Sequence, residues 1–331
     1  MRDDPSLRGR PLAIGGASSR RGVVATCNYE ARAYGVHSAL PTAIAMQRCP
    51  QLIVMPPNMS KYKAVALQIR EIFARYSDCI EPLSLDEAYL DVSESPHFHG
   101  SASLIAKAIR REVKAELGIS ISAGVAPNKF LAKIASDWQK PDGLTVIPPD
   151  QVDAFVGDLP VSKIHGVGKV MAAKMSALGI DTCGQLQDWS ELALVERFGR
   201  FGRQLYGYAR GEDHRPVKPE RRRKSLSVER TFARDVVPGD EADAALQALI
   251  DELLTRLQSL PELKIAGAFV KMKSQSFRIT TVEQRLPRGL DVACYSTLMN
   301  EAWGRLESPV RLMGVGVRFA DSDFAGQLSL F

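Results

Sequence analysis

The 331-residue chain contains no uninterrupted run approaching the roughly 18 apolar residues that a membrane span needs, and its start, Met1-Arg2-Asp3-Asp4, has none of the plan of a signal peptide. A cytoplasmic protein without a membrane partner is therefore expected. Cysteine is scarce and scattered: Cys27, Cys49, Cys79, Cys183 and Cys294 form no C-x-x-C pair and are odd in number, which argues against a disulfide framework or a zinc site. They read as free thiols. Histidine is equally scarce, and His97 and His99, flanking Phe98 in a Ser/Pro/Gly-rich loop, read as an exposed pair with no assigned role.

What is present is the composition of a folded protein: 45% apolar and 24% charged residues, which excludes general disorder. At ordinary domain sizes this length implies two to four units. The net charge of +5 is unevenly spread. Lys218, Arg221, Arg222, Arg223 and Lys224 against Glu220 give +4 within seven residues, whereas residues 225–318 hold 12 basic and 12 acidic side chains. The basic strip beside Pro216 and Pro219 reads either as a linker suited to lie along a polyanion or as a solvated charge run.

Up to residue 57 short apolar runs alternate with turn residues, the texture of a small α/β lobe. Apolar residues at helical spacing predict helices over 61–76 and 104–117, strand character over Leu83–Val92 and Ile119–Val125, and a helix over 128–137. Helices covering one face of a sheet make an α+β arrangement. After Pro148-Pro149 short helices separated by glycines predict a small all-helical domain. Beyond the basic strip, strands over 225–232, 267–273, 278–282 and 313–319, with helices over 241–259 and 295–306, predict a second α/β unit. The last dozen residues read as a flexible tail.

In Glu81-Pro82-Leu83-Ser84-Leu85-Asp86-Glu87-Ala88-Tyr89-Leu90-Asp91-Val92, two adjacent carboxylates sit where apolar residues arrive from both sides, as at the bend of a β-hairpin. Adjacent strand side chains point to opposite faces, so both meet one ion only if the backbone bends there. Two neighbouring carboxylates raise each other's pKa unless a cation lies between them, and magnesium, a hard cation that takes oxygen ligands, supplies that charge. By composition alone an exposed turn is the better explanation of the pair.

The words around that pair favour the site. Ser84-Leu85-Asp86-Glu87-Ala88-Tyr89-Leu90-Asp91 resembles the palm motif of Y-family translesion polymerases of the bacterial polymerase IV type. Asn28-Tyr29-Glu30-Ala31-Arg32 followed by Tyr34-Gly35-Val36 resembles the fingers motif. Ser122-Ala123-Gly124-Val125-Ala126-Pro127-Asn128-Lys129, Lys133-Ile134-Ala135-Ser136 and Lys140-Pro141-Asp142-Gly143 follow in the family's order. The resemblance implies a right-hand polymerase with fingers at 1–57, palm at 58–148, helical thumb at 149–215, a basic linker at 216–224, an α/β little finger at 225–319 and a tail at 320–331. It also implies error-prone, template-directed nucleotidyl transfer in DNA repair and damage tolerance, with two magnesium ions on Asp86 and Glu87. Tyr29, Arg32 and Lys140 would hold the incoming deoxynucleoside triphosphate, since a planar guanidinium grips phosphate oxygens in bidentate fashion and an ammonium acts as a point charge.

Lys163-Ile164-His165-Gly166-Val167-Gly168-Lys169 resembles a helix-hairpin-helix, in which Gly166, Gly168 and Lys169 offer backbone amides to a phosphate of primer-template DNA, with His165 where proline is usual. Arg222, Arg223 and Lys224 of the linker, and Lys271 and Lys273 at period two on one strand face, are further DNA-contact candidates. The tail's Gln327, Leu328, Leu330 and Phe331 resemble the short peptide that docks on the sliding clamp. A monomer is expected. Family members begin with a further strand, Asp-x-Asp-x-Phe-Phe or close to it, which supplies a third carboxylate and a steric-gate aromatic. Met1-Arg2-Asp3-Asp4-Pro5 aligns with the segment after that strand, so a nearly or wholly inactive chain is expected as written. A start codon placed too late is favoured over a genuinely shortened protein, and a chain that only binds DNA and clamp is the alternative.

Overall fold

A computed structural model describes residues 1–220, 222–287 and 289–320, and for Arg20 the backbone alone. The chain forms two compact units: residues 3–57 with the described residues from 222 onward, and residues 58–220. Among the described residues no helix is long and apolar enough to cross a membrane, and the five cysteines are free.

Residues 1–57 carry strands β1 (Leu12–Gly15) and β2 (Val24–Cys27), helices α1 (Tyr29–Arg32) and α2 (Thr42–Arg48), and strand β3 (Ile53–Met55). The sheet order is β2-β1-β3, antiparallel then parallel. Ala13, Val24, Ala31, Ala45 and Leu52 are buried between sheet and helices. Residues 1–4 form no strand, and Asp4 caps a 3-10 turn over Pro5–Leu7 through Ser6.

Residues 58–148 carry α3 (Met59–Ala74), β4 (Cys79–Pro82), β5 (Ala88–Asp91), α4 (Ala102–Leu117), β6 (Ala123–Val125), α5 (Lys129–Trp138) and β7 (Leu144–Val146). The sheet is two separate ribbons, β4-β5 antiparallel and β6-β7 parallel. The strand expected over Leu83–Val92 divides: residues 83–87 connect β4 to β5, because Leu83 N–H and Ser84 N–H both donate to the Glu87 carbonyl at 3.0 and 3.3 Å and close a turn. The strand expected over Ile119–Val125 shortens to three residues, since Ile119 and Ile121 pack instead on the α3–α4 core around Ile72, Ile105 and Val113. Gly124 lets α5 lie directly on β6: a Cβ there would stand 2.2 Å from the Ala132 carbonyl oxygen. The inner residues of α5 (Phe130, Leu131, Ile134) then join the core of the next region, where Phe130 stacks on Tyr208 with centroids 4.2 Å apart.

That region is all-helical: α6 (Val152–Gly157), α7 (Lys169–Ser176), α8 (Cys183–Gln187), α9 (Glu191–Phe198) and α10 (Arg200–Tyr208). In the expected helix-hairpin-helix the first helix is only a 3-10 turn, Val161–Lys163. From residue 225 the chain forms β8 (Ser225–Val236), α11 (Asp240–Leu257), β9 (Ile265–Ser274), β10 (Ile279–Arg285), α12 (Cys294–Leu306) and β11 (Val310–Phe319). The sheet order is β10-β9-β11-β8, all antiparallel. The alternation of β9 and β11 turns Ala268, Val270, Met272, Met313, Val315 and Val317 into the helix-covered core; the other face carries Lys271, Lys273 and Arg318 beside Phe269, whose ring lies against Gly316 and under the Arg318 guanidinium.

Candidate active site and nucleic-acid contacts

Asp86 and Glu87 lie in the connection that closes β4 onto β5. Asp86 is exposed, and its Oδ1 accepts from Ser84 Oγ at 2.6 Å. Glu87 is half-buried, and its Oε1 accepts from Lys133 Nζ at 3.0 Å. Lys133 also donates to Asp137 Oδ2 at 2.9 Å, one helical turn further along α5, and the other oxygen of Asp137 pairs with Lys140 Nζ at 2.5 Å. Glu87, Lys133, Asp137 and Lys140 thus form a chain of alternating charge. Burial by itself would lower the Lys133 ammonium, but Asp137 and Glu87 outweigh it and raise its pKa; burial likewise works against the two lysines at Asp137, which is nevertheless held below the usual carboxylate range. Asp142 accepts from Arg110 and Lys114, which fixes the loop just after Lys140. A cleft of about 570 Å³ opens beside this chain, lined by Lys133, Asp137, Trp138, Lys163 and His165.

Tyr29 and Arg32 belong to the other unit. Both project from α1, with the Arg32 guanidinium carbon 5.9 Å from the Tyr29 ring centre. Asn28 fixes that turn: its Oδ1 accepts from Ala31 N–H and Leu12 N–H, and its Nδ2 donates to the Arg10 carbonyl. The sequence suits the task, since an Asn at the N-cap satisfies one of the free amides of the first turn.

Gly166 has φ +99°, a conformation that favours glycine, and a Cβ there would press on the Phe201 ring at 3.2 Å. Gly168 is the N-cap of α7 without a side-chain cap, so the amides at Lys169 and beyond point out of the helix start. Arg222 donates to the Ala320 carbonyl, while Arg223 and Lys224 are exposed. Lys271 reaches across Gly314 to Glu229 Oε2 at 2.7 Å, which neutralises it. Lys273 Nζ and the Arg311 guanidinium carbon both approach the ring of Phe277, at 4.6 and 4.8 Å from its centre. Of the two DNA-contact candidates on this strand face, Lys271 is thus held in an ion pair and Lys273 against an aromatic ring. Gln327, Leu328, Leu330 and Phe331 lie outside the described residues.

Comparison with known proteins decides the family. The pattern of the impB/mucB/samB family matches residues 1–137, that of the DNA polymerase-iota thumb domain residues 158–213, and that of the impB/mucB/samB C-terminal domain residues 223–330. A DNA polymerase IV of Ectopseudomonas mendocina (strain ymp) is 56% identical over 97% of this chain and 91% of its own length. One from Pseudomonas aeruginosa (strain UCBPP-PA14) is 56% identical over 100% of this chain and 95% of its own. Among solved structures, a Y-family DNA polymerase chimera of Dbh and Dpo4 superposes with a TM-score of 0.86 at 29% identity, covering 95% of this chain and 93% of that one. The insertion ternary complex of Dbh DNA polymerase gives 0.67 at 28% identity, covering 96% and 93%. The chain belongs to the Y-family DNA polymerases. Its place is with the relatives called DNA polymerase IV.

Within this family member, the sequence reading passed over several residues that the fold brings to the site. Lys133 and Asp137 had an available signal, the i,i+4 and i,i+3 spacing Lys133, Asp137, Lys140 on and just past one helix. The segment 211–218 had none. Asn128 Nδ2 donates to the Gly211 carbonyl, Phe130 N–H to Asp213, Lys129 Nζ to Glu81 at 2.5 Å and to the Pro216 carbonyl, and Lys218 N–H to Glu81. What reads as one basic linker, 216–224, is therefore in its first part a strap bound to the palm ribbon.

Proposed function

We propose that this chain performs template-directed nucleotidyl transfer in error-prone lesion bypass, with Asp86 and Glu87 as its metal carboxylates. The observation that carries the reading is Glu87 at the hairpin end, already paired with a cation, on the same run of charges as Lys140. The donors there suit magnesium by type: two carboxylates and the Ser84 hydroxyl are all oxygen, and magnesium is commonly held by one or two protein carboxylates with phosphates and water completing the shell. Among the described residues no group of three or more His, Cys, Asp or Glu side chains gathers into a metal cluster. Asp86 and Glu87 would hold the metal, which would supply Lewis acidity for phosphoryl transfer.

The protein's own groups do the rest. Arg32 and Tyr29 on the pinned turn of α1 grip triphosphate oxygens, and Lys140 adds a point charge. The amides at Gly168 and Lys169 hold a DNA phosphate at the start of α7, and Arg222, Arg223, Lys224, Lys271 and Lys273 add backbone contacts without reading bases. Residues 1–57 act as fingers, 58–148 as palm, 149–215 as thumb and 225–319 as little finger, and Gln327 to Phe331 dock on a sliding clamp. Primer extension with magnesium on a lesion-bearing template, by this chain and by one fused to the family's Asp-x-Asp-x-Phe-Phe strand, tests the reading, with the fused chain as the reference for the variants. Extension is expected to fall at least about a hundredfold in Asp86→Ala and in Glu87→Ala, and near-normal rates in either variant sink the assignment. A chain that binds primer-template yet never extends it acts by binding alone.

A further inference from the structure

One ammonium, Lys133 Nζ, lies 3.0 Å from Glu87 and 2.9 Å from Asp137, and Asp137 holds Lys140 with its remaining oxygen at 2.5 Å. The Lys133 side chain is only 15% exposed, so few waters can take the place of either partner. The two carboxylates are not equivalent. Asp137 sits one turn along the same helix, at a spacing that keeps it within reach whatever happens at the hairpin, whereas Glu87 comes from 46 residues earlier in the chain.

An ammonium and a divalent cation repel strongly at contact distance and compete for the same carboxylate. Resting on the reading of Asp86 and Glu87 as metal carboxylates, we propose that Lys133 is a stand-in cation for that metal, with Asp137 as its reserve partner. In the metal-free protein Lys133 neutralises Glu87. When Glu87 is taken, Lys133 retreats wholly onto Asp137, a shift that needs side-chain motion alone because both oxygens are already within hydrogen-bond distance. Asp137 then holds Lys140 less tightly, and Lys140 is released toward the triphosphate. Lys133 and Asp137 are positioning residues in this scheme, and they couple filling of the carboxylate site to the grip on phosphate.

Mn2+ affinity of the full 331-residue chain, read by electron paramagnetic resonance, tests this in five variants. Lys133→Met is expected to bind Mn2+ roughly threefold to tenfold more tightly, and Asp137→Asn roughly threefold more weakly, because Lys133 then keeps only Glu87. Through-space fields alone would give the same two signs, but additively. The stand-in role requires that Asp137→Asn have no effect in the Lys133→Met background, and an undiminished effect there overturns it. Lys133→Arg, which keeps the cation, should restore near-original affinity, a rescue that loss of packing would not show. Metal-free binding of inorganic tripolyphosphate should strengthen roughly threefold in Asp137→Asn, but not when Lys140→Met is added; no gain overturns the release of Lys140. Glu87→Gln separates the two levels. If it leaves Mn2+ binding unchanged, the metal-site reading falls and the stand-in with it; if it weakens binding while Lys133→Met fails to strengthen it, only the stand-in falls.

Discussion

The palm ribbon and the outer face of the little-finger sheet are both laced with ion pairs of similar length, yet the pairs differ in kind. In the palm, Lys129 and Glu81 meet at 2.5 Å with side chains 10% and 23% exposed, and both also bond the backbone of 216–218. On the little finger, Lys271 meets Glu229 at 2.7 Å and Arg318 meets Glu283 at 3.1 Å with much of each side chain in water. A buried pair that loses one member leaves an uncompensated charge, whereas an exposed pair exchanges its partner for solvent or for an incoming phosphate. Distance says little here; burial separates a structural pair from an available one.

The sharpest way to break that contrast is Lys129→Met, expected to cost about 3 kcal/mol in urea unfolding by stranding Glu81 and loosening the 211–218 strap. Adding Glu81→Met should recover most of the loss, and hydrogen exchange at 216–218 should rise in the single variant. If the single change costs no more than a surface substitution, the palm pair is no different from those of the little finger.

A middle effect is expected from acid. The Glu81 and Asp213 carboxyls would be raised by burial, but Lys129 and the Lys218 amide at one, and Arg215 at the other, hold both below their ordinary values. A depressed folded pKa gives stability that is complete above the unfolded value and lost as pH falls through the folded one. The 58–220 unit should therefore lose stability from about pH 5 downward, and Asp213→Asn should flatten that part of the curve. An equally steep curve in the variant removes Asp213 from the account.

The smallest effect belongs to the exposed face. Lys273→Ala should change stability by no more than about 0.5 kcal/mol, while weakening DNA affinity equally across sequences and reducing the salt dependence of binding by about one ion. Lys271→Ala, already neutralised by Glu229, should do less; a larger loss than for Lys273 would reverse the ranking drawn from their partners.

Much of the fold is legible along the chain because its causes are local. Helices α4 and α5 announce themselves by apolar spacing and by Ser101 and Asn128 at their caps, and the motif words around Asp86, Arg32 and Lys140 carry the family. Errors fell where local signals are ambiguous. The apolar run 83–92 spans a turn as well as a strand, and Ile119 and Ile121 are equally suited to a strand or to packing on helices.

What the sequence by itself determined is the order of elements, the polymerase family and the residue types at the site, since each rests on neighbours within a few positions. Only the tertiary structure decided which charge meets which. Lys133 finds Glu87 across 46 residues and Lys129 finds Glu81 across 48. No local pattern encodes such a meeting, because it depends on where packing of α5 against β6, through Gly124, sets those ammonium groups down.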